Sequence, residues 1–270
     1  MNKMKYFISA DIEGTCGATA WTETEYGDKP YDYLQSQMIR EVSAVCEAIN
    51  AKRAESEIIV RDSHDSARNL DPMSLPQNAK IIRGWSGDPY KMMTGVDIFR
   101  PDGVFYTGYH APAGTSGNPL AHTMNTRNFI VKLNGDIMSE FMLNTYTAAY
   151  FGVPVLFISG DETICSLAKK LVPAITAVPL NKGLGNASIS VNPKTALEMI
   201  KNGVASALEA DYGRCFPNIP DKFTVETTYR EHYRALNASY FPGAIKSGEY
   251  SVEYSAHDYL DVLRFFLFTL

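Results

Sequence analysis

A chain of 270 residues can bury a substantial core, and its length allows one large domain or two unequal ones. Apolar residues make up 45% and charged residues 20%, the balance of a globular protein in water; a net charge of −5, without a basic tract interleaved with aromatics, argues against nucleic-acid binding. The later apolar run Val153–Ile158, with Pro154 inside it, is far too short to cross a bilayer, and Tyr6–Ala10 is too short for a signal-peptide core. Cys16, Cys46, Cys165 and Cys215 form no CxxC pair, and their wide spacing reads as reduced thiols in a cytoplasmic protein.

In chain order, short apolar runs alternate with amphipathic segments, the βαβ rhythm of a mainly parallel sheet with helices on both faces. Tyr6–Ala10 is the first strand. A helix over Tyr31–Lys52 follows, because Leu34, Met38, Val42, Val45 and Ile49 recur at spacings of four and three and make one apolar stripe. Glu57–Arg61, Lys80–Arg83 and Gly103–Thr107 read as the next strands. Asn134-Gly135, between Asn128–Leu133 and Asp136–Met138, is a type I′ hairpin signal, and Ser139 can cap a helix over Glu140–Phe151. Val153–Ser159 is a further buried strand that ends at Gly160-Asp161.

The tract Asn181–Ser188 is rich in Gly, Asn and Ser, which predicts a division into residues 1–180 and a smaller α/β unit over 181–270. In that unit a helix carrying Ala196, Met199, Ile200, Val204 and Leu208 precedes strands at Phe223–Thr228 and Tyr250–Ser255, then a terminal helix from Ala256. Phe265-Phe266-Leu267-Phe268 reads as helix core.

The chemistry gathers at strand exits. Asp11 and Glu13 stand two residues apart in Ser9-Ala10-Asp11-Ile12-Glu13-Gly14, so in extended chain they face one side and either repel or share a cation. His64 follows the second strand, His110 the fourth, and Asp161 the later one, while His122 lies beyond the Pro- and Gly-containing loop Ala111–Pro119. Ligands in open parallel sheets gather outside the carboxyl ends of the strands, and carboxylate with imidazole is a zinc-binding donor set. Asp62 can support His64 from behind; Cys16 reads as a small buried residue; His232 and His257 read as surface residues. Glu140 on its own reads as an acidic residue favoured at a helix N-terminus.

The succession SADIEGTCG, RDSHDSARN, TGYHAPAG, AHTMN, NGDIMSE and VPVLFISGDE, in order between Tyr6 and Glu162, resembles the zinc-dependent D-aminopeptidases of bacterial dipeptide-transport operons. The resemblance implies two zinc ions per subunit, with Asp11 shared and Glu13, His64, His110 and Glu140 completing the site; which terminal ligand serves which ion stays open. It also implies that His122 is catalytic and that the chain forms a homo-oligomer, a ring-shaped decamer enclosing its active sites. The family histidine has been cast as a nucleophile, but an unligated imidazole beside a metal centre suits general acid/base work. The expected function is therefore removal of N-terminal residues, D-residues among them, from short peptides. Two rivals remain at this point: another metal-dependent amide or phosphoester hydrolase, and a non-enzymatic α/β binding protein with a structural metal.

Overall fold

The computed structural model describes residues 3–270. The first part runs β1 (Lys5–Ala10), α1 (Tyr31–Lys52), β2 (Glu57–Asp62), β3 (Ala79–Ile82), α2 (Val96–Phe99) and β4 (Gly103–Tyr109). It continues through β5 (Asn128–Leu133), β6 (Asp136–Ile137), α3 (Glu140–Tyr150), β7 (Val155–Asp161), α4 (Glu162–Leu171), β8 (Thr176–Leu184) and β9 (Ala187–Ser190). The last part is α5 (Pro193–Ala207), β10 (Phe223–Tyr229), α6 (His232–Ala238), β11 (Ile245–Lys246), β12 (Ser251–Ala256) and α7 (Tyr259–Thr269). Among the described residues no helix is long and apolar enough to cross a membrane.

Seven strands form one sheet in the order β3-β2-β1-β4-β7-β8-β9, parallel except for the β8–β9 hairpin. Every residue of β4 and β7 is buried, as expected of parallel strands covered on both faces. The stripe Leu34, Met38, Val42, Val45 and Ile49 packs with Ala196, Ile200 and Val204 of α5 on one face. Phe141 and Ala148 of α3 join Ile164 and Ala168 of α4 on the other. A second, antiparallel sheet runs β11-β12-β10-β5-β6, and its core packs Val131, Val225 and Val252 against Leu263 and Phe266 of α7.

The division expected near residue 180 does not coincide with a boundary between the sheets. β8 pairs with β7 and then turns into β9, so 181–190 belongs to the seven-stranded sheet; Val191 N–H also bonds to the Leu180 carbonyl. The second sheet, in turn, takes β5 and β6 from the first half of the chain. The strand runs, α1 and the Asn-Gly hairpin lie where the sequence places them, with Asn134 and Gly135 both at positive φ (50° and 88°) as a type I′ turn needs.

β1 sits between β2 and β4, and successive strands are laid down first to one side of it and then to the other. That arrangement opens a crevice at the carboxyl ends of β1 and β4. Two glycines let the exits cross there: Gly14 N–H bonds to the Gly108 carbonyl at 2.8 Å, and a Cβ on Gly14 would sit 1.7 Å from the Tyr109 carbonyl oxygen. Gly108 itself has φ +72° and lies against the Asp11 carbonyl.

Candidate metal centre

The crevice gathers all six expected site residues. Asp11 and Glu13 come from the β1 exit, His64 from the β2 exit, His110 from the end of β4, and His122 from the loop beyond it. Glu140 opens α3, where Ser139 Oγ accepts the Met142 N–H and sets the helix start. The hairpin that precedes this cap belongs to the second sheet, so both sheets contribute to the site. Asp11, Glu13, His64, His110 and Glu140 are each 6% exposed or less.

Their atoms fall into two adjoining sets. Asp11 Oδ1 and Glu13 Oε2 lie 3.4 and 3.1 Å from His64 Nδ1. Asp11 Oδ2 lies 3.4 Å from His110 Nε2, which is 3.6 Å from Glu140 Oε2. Ring orientation follows from the opposite nitrogens: His64 Nε2–H donates to the Thr24 carbonyl at 2.8 Å, and His110 Nδ1–H donates to the Ala111 carbonyl at 2.9 Å. Each imidazole therefore turns its free nitrogen inward, the second-sphere pattern that fixes a metal-ligating tautomer.

Three buried carboxylates at such range need positive charge. Burial would raise Asp11, yet the neighbouring imidazoles of His110 and His64 hold it below the ordinary carboxylate range. Glu140 is likewise raised by burial and brought down further by the charge of His110 beside it. Burial disfavours charge on His64 and His110, but the carboxylates hold both well above the usual imidazole range, Glu13 foremost for His64 and Glu140 for His110. In the bare protein only protonated histidines can balance the cluster; divalent cations would do so while leaving the imidazoles neutral. Asp11 Oδ2, Glu13 Oε2 and His110 Nε2 are buried without a hydrogen-bond partner, and potential donor atoms of Asp11, Glu13 and His110 lie within 4.8 Å of one another. The residues fit a zinc-type donor set of nitrogen and carboxylate oxygen.

His122 sits at the open side, with its side chain 12% exposed. It stacks on His110 with ring centroids 4.3 Å apart and planes 8° from parallel, and the edge of Trp21 abuts it at 5.3 Å. Its Nδ1–H donates to the Leu120 carbonyl, so Nε2 faces Glu140 Oε1 at 3.5 Å and Glu13 Oε1 at 3.9 Å. Geometry alone also admits His122 as a ligand, since atoms of His110, His122 and Glu140 approach within 4.8 Å.

Two expected residues act differently from a ligand or its direct support. Asp62 accepts the Asn69 and Leu70 N–H groups and the Asn69 side chain, and it touches neither ring nitrogen of His64; it shapes the loop, and Asn69 in turn bonds to the His64 carbonyl. Asp161 caps α4 through Ile164 N–H and receives Ala111 N–H and Asn118 Nδ2, bracing the loop after His110. Cys16 is buried and its thiol points to the Val191 carbonyl, while His232 and His257 are exposed and remote in the fold. Sequence reasoning missed the Met124 N–H that bonds to Glu140 Oε1 at 2.6 Å, the Thr24 carbonyl, Trp21, and the wall formed by the loop after β3. Main-chain partners carry no side-chain signature, and the wall is assembled by tertiary packing alone.

A cavity of about 470 Å³ opens above the cluster, walled by Trp21, Trp85, Asp88, Lys91, Met124 and Leu267 among others. A sequence profile described as D-aminopeptidase, Peptidase M55, matches residues 4–268. The chain is 30% identical to a D-aminopeptidase of Bacillus subtilis (strain 168), over 97% of this chain and 94% of that protein. It is also similar to the solved structure of the Zn-dependent D-aminopeptidase DppA from Bacillus subtilis, described as a self-compartmentalizing protease. That likeness has a TM-score of 0.88 and 27% identity and covers 98% of this chain and 96% of the other. With the crevice, its donor set and a match along nearly the whole chain in agreement, this protein belongs to the D-aminopeptidase family Peptidase M55.

Proposed function

We propose that this chain is a zinc aminopeptidase that removes N-terminal residues, D-residues among them, from short peptides, with two zinc ions in each subunit. The observation that carries the reading is the division of Asp11: one carboxylate oxygen faces His64 and the other His110. Asp11, Glu13 and His64 would hold one ion, and Asp11, His110 and Glu140 the other. Bound zinc supplies Lewis acidity, which polarises a peptide carbonyl and acidifies water.

The protein's own groups supply the rest. Glu13 and Glu140 keep their outer oxygens towards His122, so the imidazole can pass a proton between the cluster and the substrate. As the peptide C–N bond breaks, the departing nitrogen takes a proton from His122 Nε2. Trp21 against the ring and the Leu120 carbonyl at Nδ1 keep Nε2 turned to the reacting side. The cavity presents six carboxylates against one ammonium group, a lining that favours a cationic α-amine over a phosphoester.

The self-compartmentalizing relative supports a homo-oligomer that encloses its active sites, with the decameric ring as the expected form. Four free, buried cysteines support a cytoplasmic location. The test is release of amino acid from a panel of D- and L-dipeptides by zinc-loaded and chelated enzyme. Turnover of D-dipeptides that disappears on chelation and returns with zinc is expected; turnover untouched by chelation would overturn the reading.

A further inference from the structure

Lys91 is the part of the cavity wall that peptide hydrolysis by the cluster and His122 leaves without a task. Among the described residues it is the only Lys or Arg lining a cavity that also exposes Asp11, Glu13, Glu25, Asp65, Asp88 and Glu140. Its backbone has φ +51°, a left-handed conformation rare for a long side chain and found preferentially where a site requires it.

The loop that carries it is fastened to the strands that carry the metal cluster. Ser9 Oγ and Ser63 Oγ donate to the carbonyl of the next residue, Met92, at 3.0 and 3.3 Å, and Asn144 Nδ2 reaches the Met92 sulfur at 3.2 Å. Thr94 Oγ1 closes the turn on the Lys91 carbonyl at 2.8 Å. The ammonium group donates to the Phe266 carbonyl at 3.0 Å and, at longer range, to the Leu270 oxygen at 3.5 Å. An ammonium carries three donors, and no Asp or Glu carboxylate of the described residues comes within ion-pair distance of this one. Burial lowers Lys91 to about 8 against the pull of Glu140, which leaves it charged at neutral pH. A cation held in place, with one of its three donors left over, in the wall of a cavity otherwise lined with carboxylates is suited to one kind of ligand group, an anion brought in by the substrate.

We infer that Lys91 binds the C-terminal carboxylate of a peptide of two or three residues whose N-terminal residue lies at the Asp11–Glu140 cluster. This rests on the aminopeptidase reading. It makes Lys91 the residue that selects short peptides with a free C-terminus over amidated or long chains, since those place no carboxylate at that point of the wall.

The experiment compares kcat/KM of zinc-loaded wild type, Lys91→Met and Lys91→Arg on D-alanylglycine and on the same dipeptide with its C-terminus amidated. Wild type is expected to prefer the free acid. Lys91→Met should lose about 10–100-fold on the acid, the range for a lost hydrogen bond to a charged group, mainly through KM. On the amide it should change by less than about threefold, and Lys91→Arg should keep the preference for the acid. Equal losses on both substrates would reduce Lys91 to a support for α7 and overturn the inference, as would a wild type that cleaves the amide as well as the acid. The second result needs no variant and so does not depend on how the variants fold. A wild type that cleaves neither substrate refutes the aminopeptidase reading itself, an outcome distinct from the loss of the acid preference alone.

Discussion

Glu41 offers a test of how the loop after β1, which carries Asp11 and Glu13, is held. It lies on α1, 1% exposed, and its Oε1 accepts the Cys16 N–H at 2.9 Å and Gln37 Nε2 at 3.1 Å, while Oε2 is buried without a partner. Burial pushes its pKa from 4.5 up to about 7, against the pull of those hydrogen bonds. The folded protein thus holds the proton more tightly than the unfolded chain does. Glu41 burdens the fold little below about pH 4.5, and stability is lost as pH rises from there to about 7. That interval corresponds to about 3 kcal/mol. Glu41→Gln keeps an oxygen acceptor for Cys16 and Gln37 and puts a neutral amide where the unpartnered Oε2 sits, so it imitates the protonated glutamate at every pH. The variant should match wild type near pH ~4 and exceed it by about 3 kcal/mol near pH ~8. Denaturant unfolding of both proteins at the same zinc concentration across that range measures this, and titration of the ligand cluster, common to both, cancels in the difference. A stability difference that stays flat with pH, or a variant less stable than wild type near pH ~8, would refute the argument.

Three further outcomes follow from the site. Asp11→Ala should release both zinc ions and Glu13→Ala only one, as read by metal analysis; full occupancy in the Asp11 variant would remove its shared role. His122→Ala should keep fold and zinc while kcat falls by about 10²–10⁴, the range for general acid/base catalysis, and loss of a zinc ion instead would make His122 a ligand. Gly14→Ala drives a Cβ to 1.7 Å from the Tyr109 carbonyl oxygen, so its melting temperature and zinc content should both drop sharply; an unchanged melting temperature would contradict the backbone crossing at this point.

The sequence was legible where the chemistry is local to a strand end. Parallel strands buried on both faces write themselves as short continuous apolar runs, so the points where β1, β2 and β4 stop can be read directly, and with them Asp11, Glu13, His64 and His110. Glu140 was ambiguous because an acidic residue in a first helical turn is stabilised by the helix dipole whether or not it has a second task. What turns it inward is the hairpin before it, whose β5 pairs with β10 in the second sheet. The β8–β9 hairpin resembles a boundary in sequence for a related reason: Asn, Gly and Ser tolerate an exposed edge as readily as a linker, and only pairing with β7 distinguishes the two. Position alone groups Asp161 with the site, although its carboxylate is taken up by main-chain and Asn118 donors; a strand-exit Asp and a helix N-cap Asp look alike in sequence when the helix begins at the next residue.

Lys91 is the extreme case, and it shows what kind of information the sequence withholds. The Phe266 carbonyl that receives its ammonium lies 175 residues away, and its left-handed backbone belongs to a loop pinned to β1, to the residue that follows β2 and to α3. Ligands that attack or activate must be held rigidly, so they sit beside regular elements whose signals are periodic and local. Groups that choose among substrates need only face the cavity, and any element passing over it can supply them. In this fold the acidic and imidazole groups of the crevice can therefore be read from strand ends, whereas Lys91 and its partner on α7 come together only through tertiary packing.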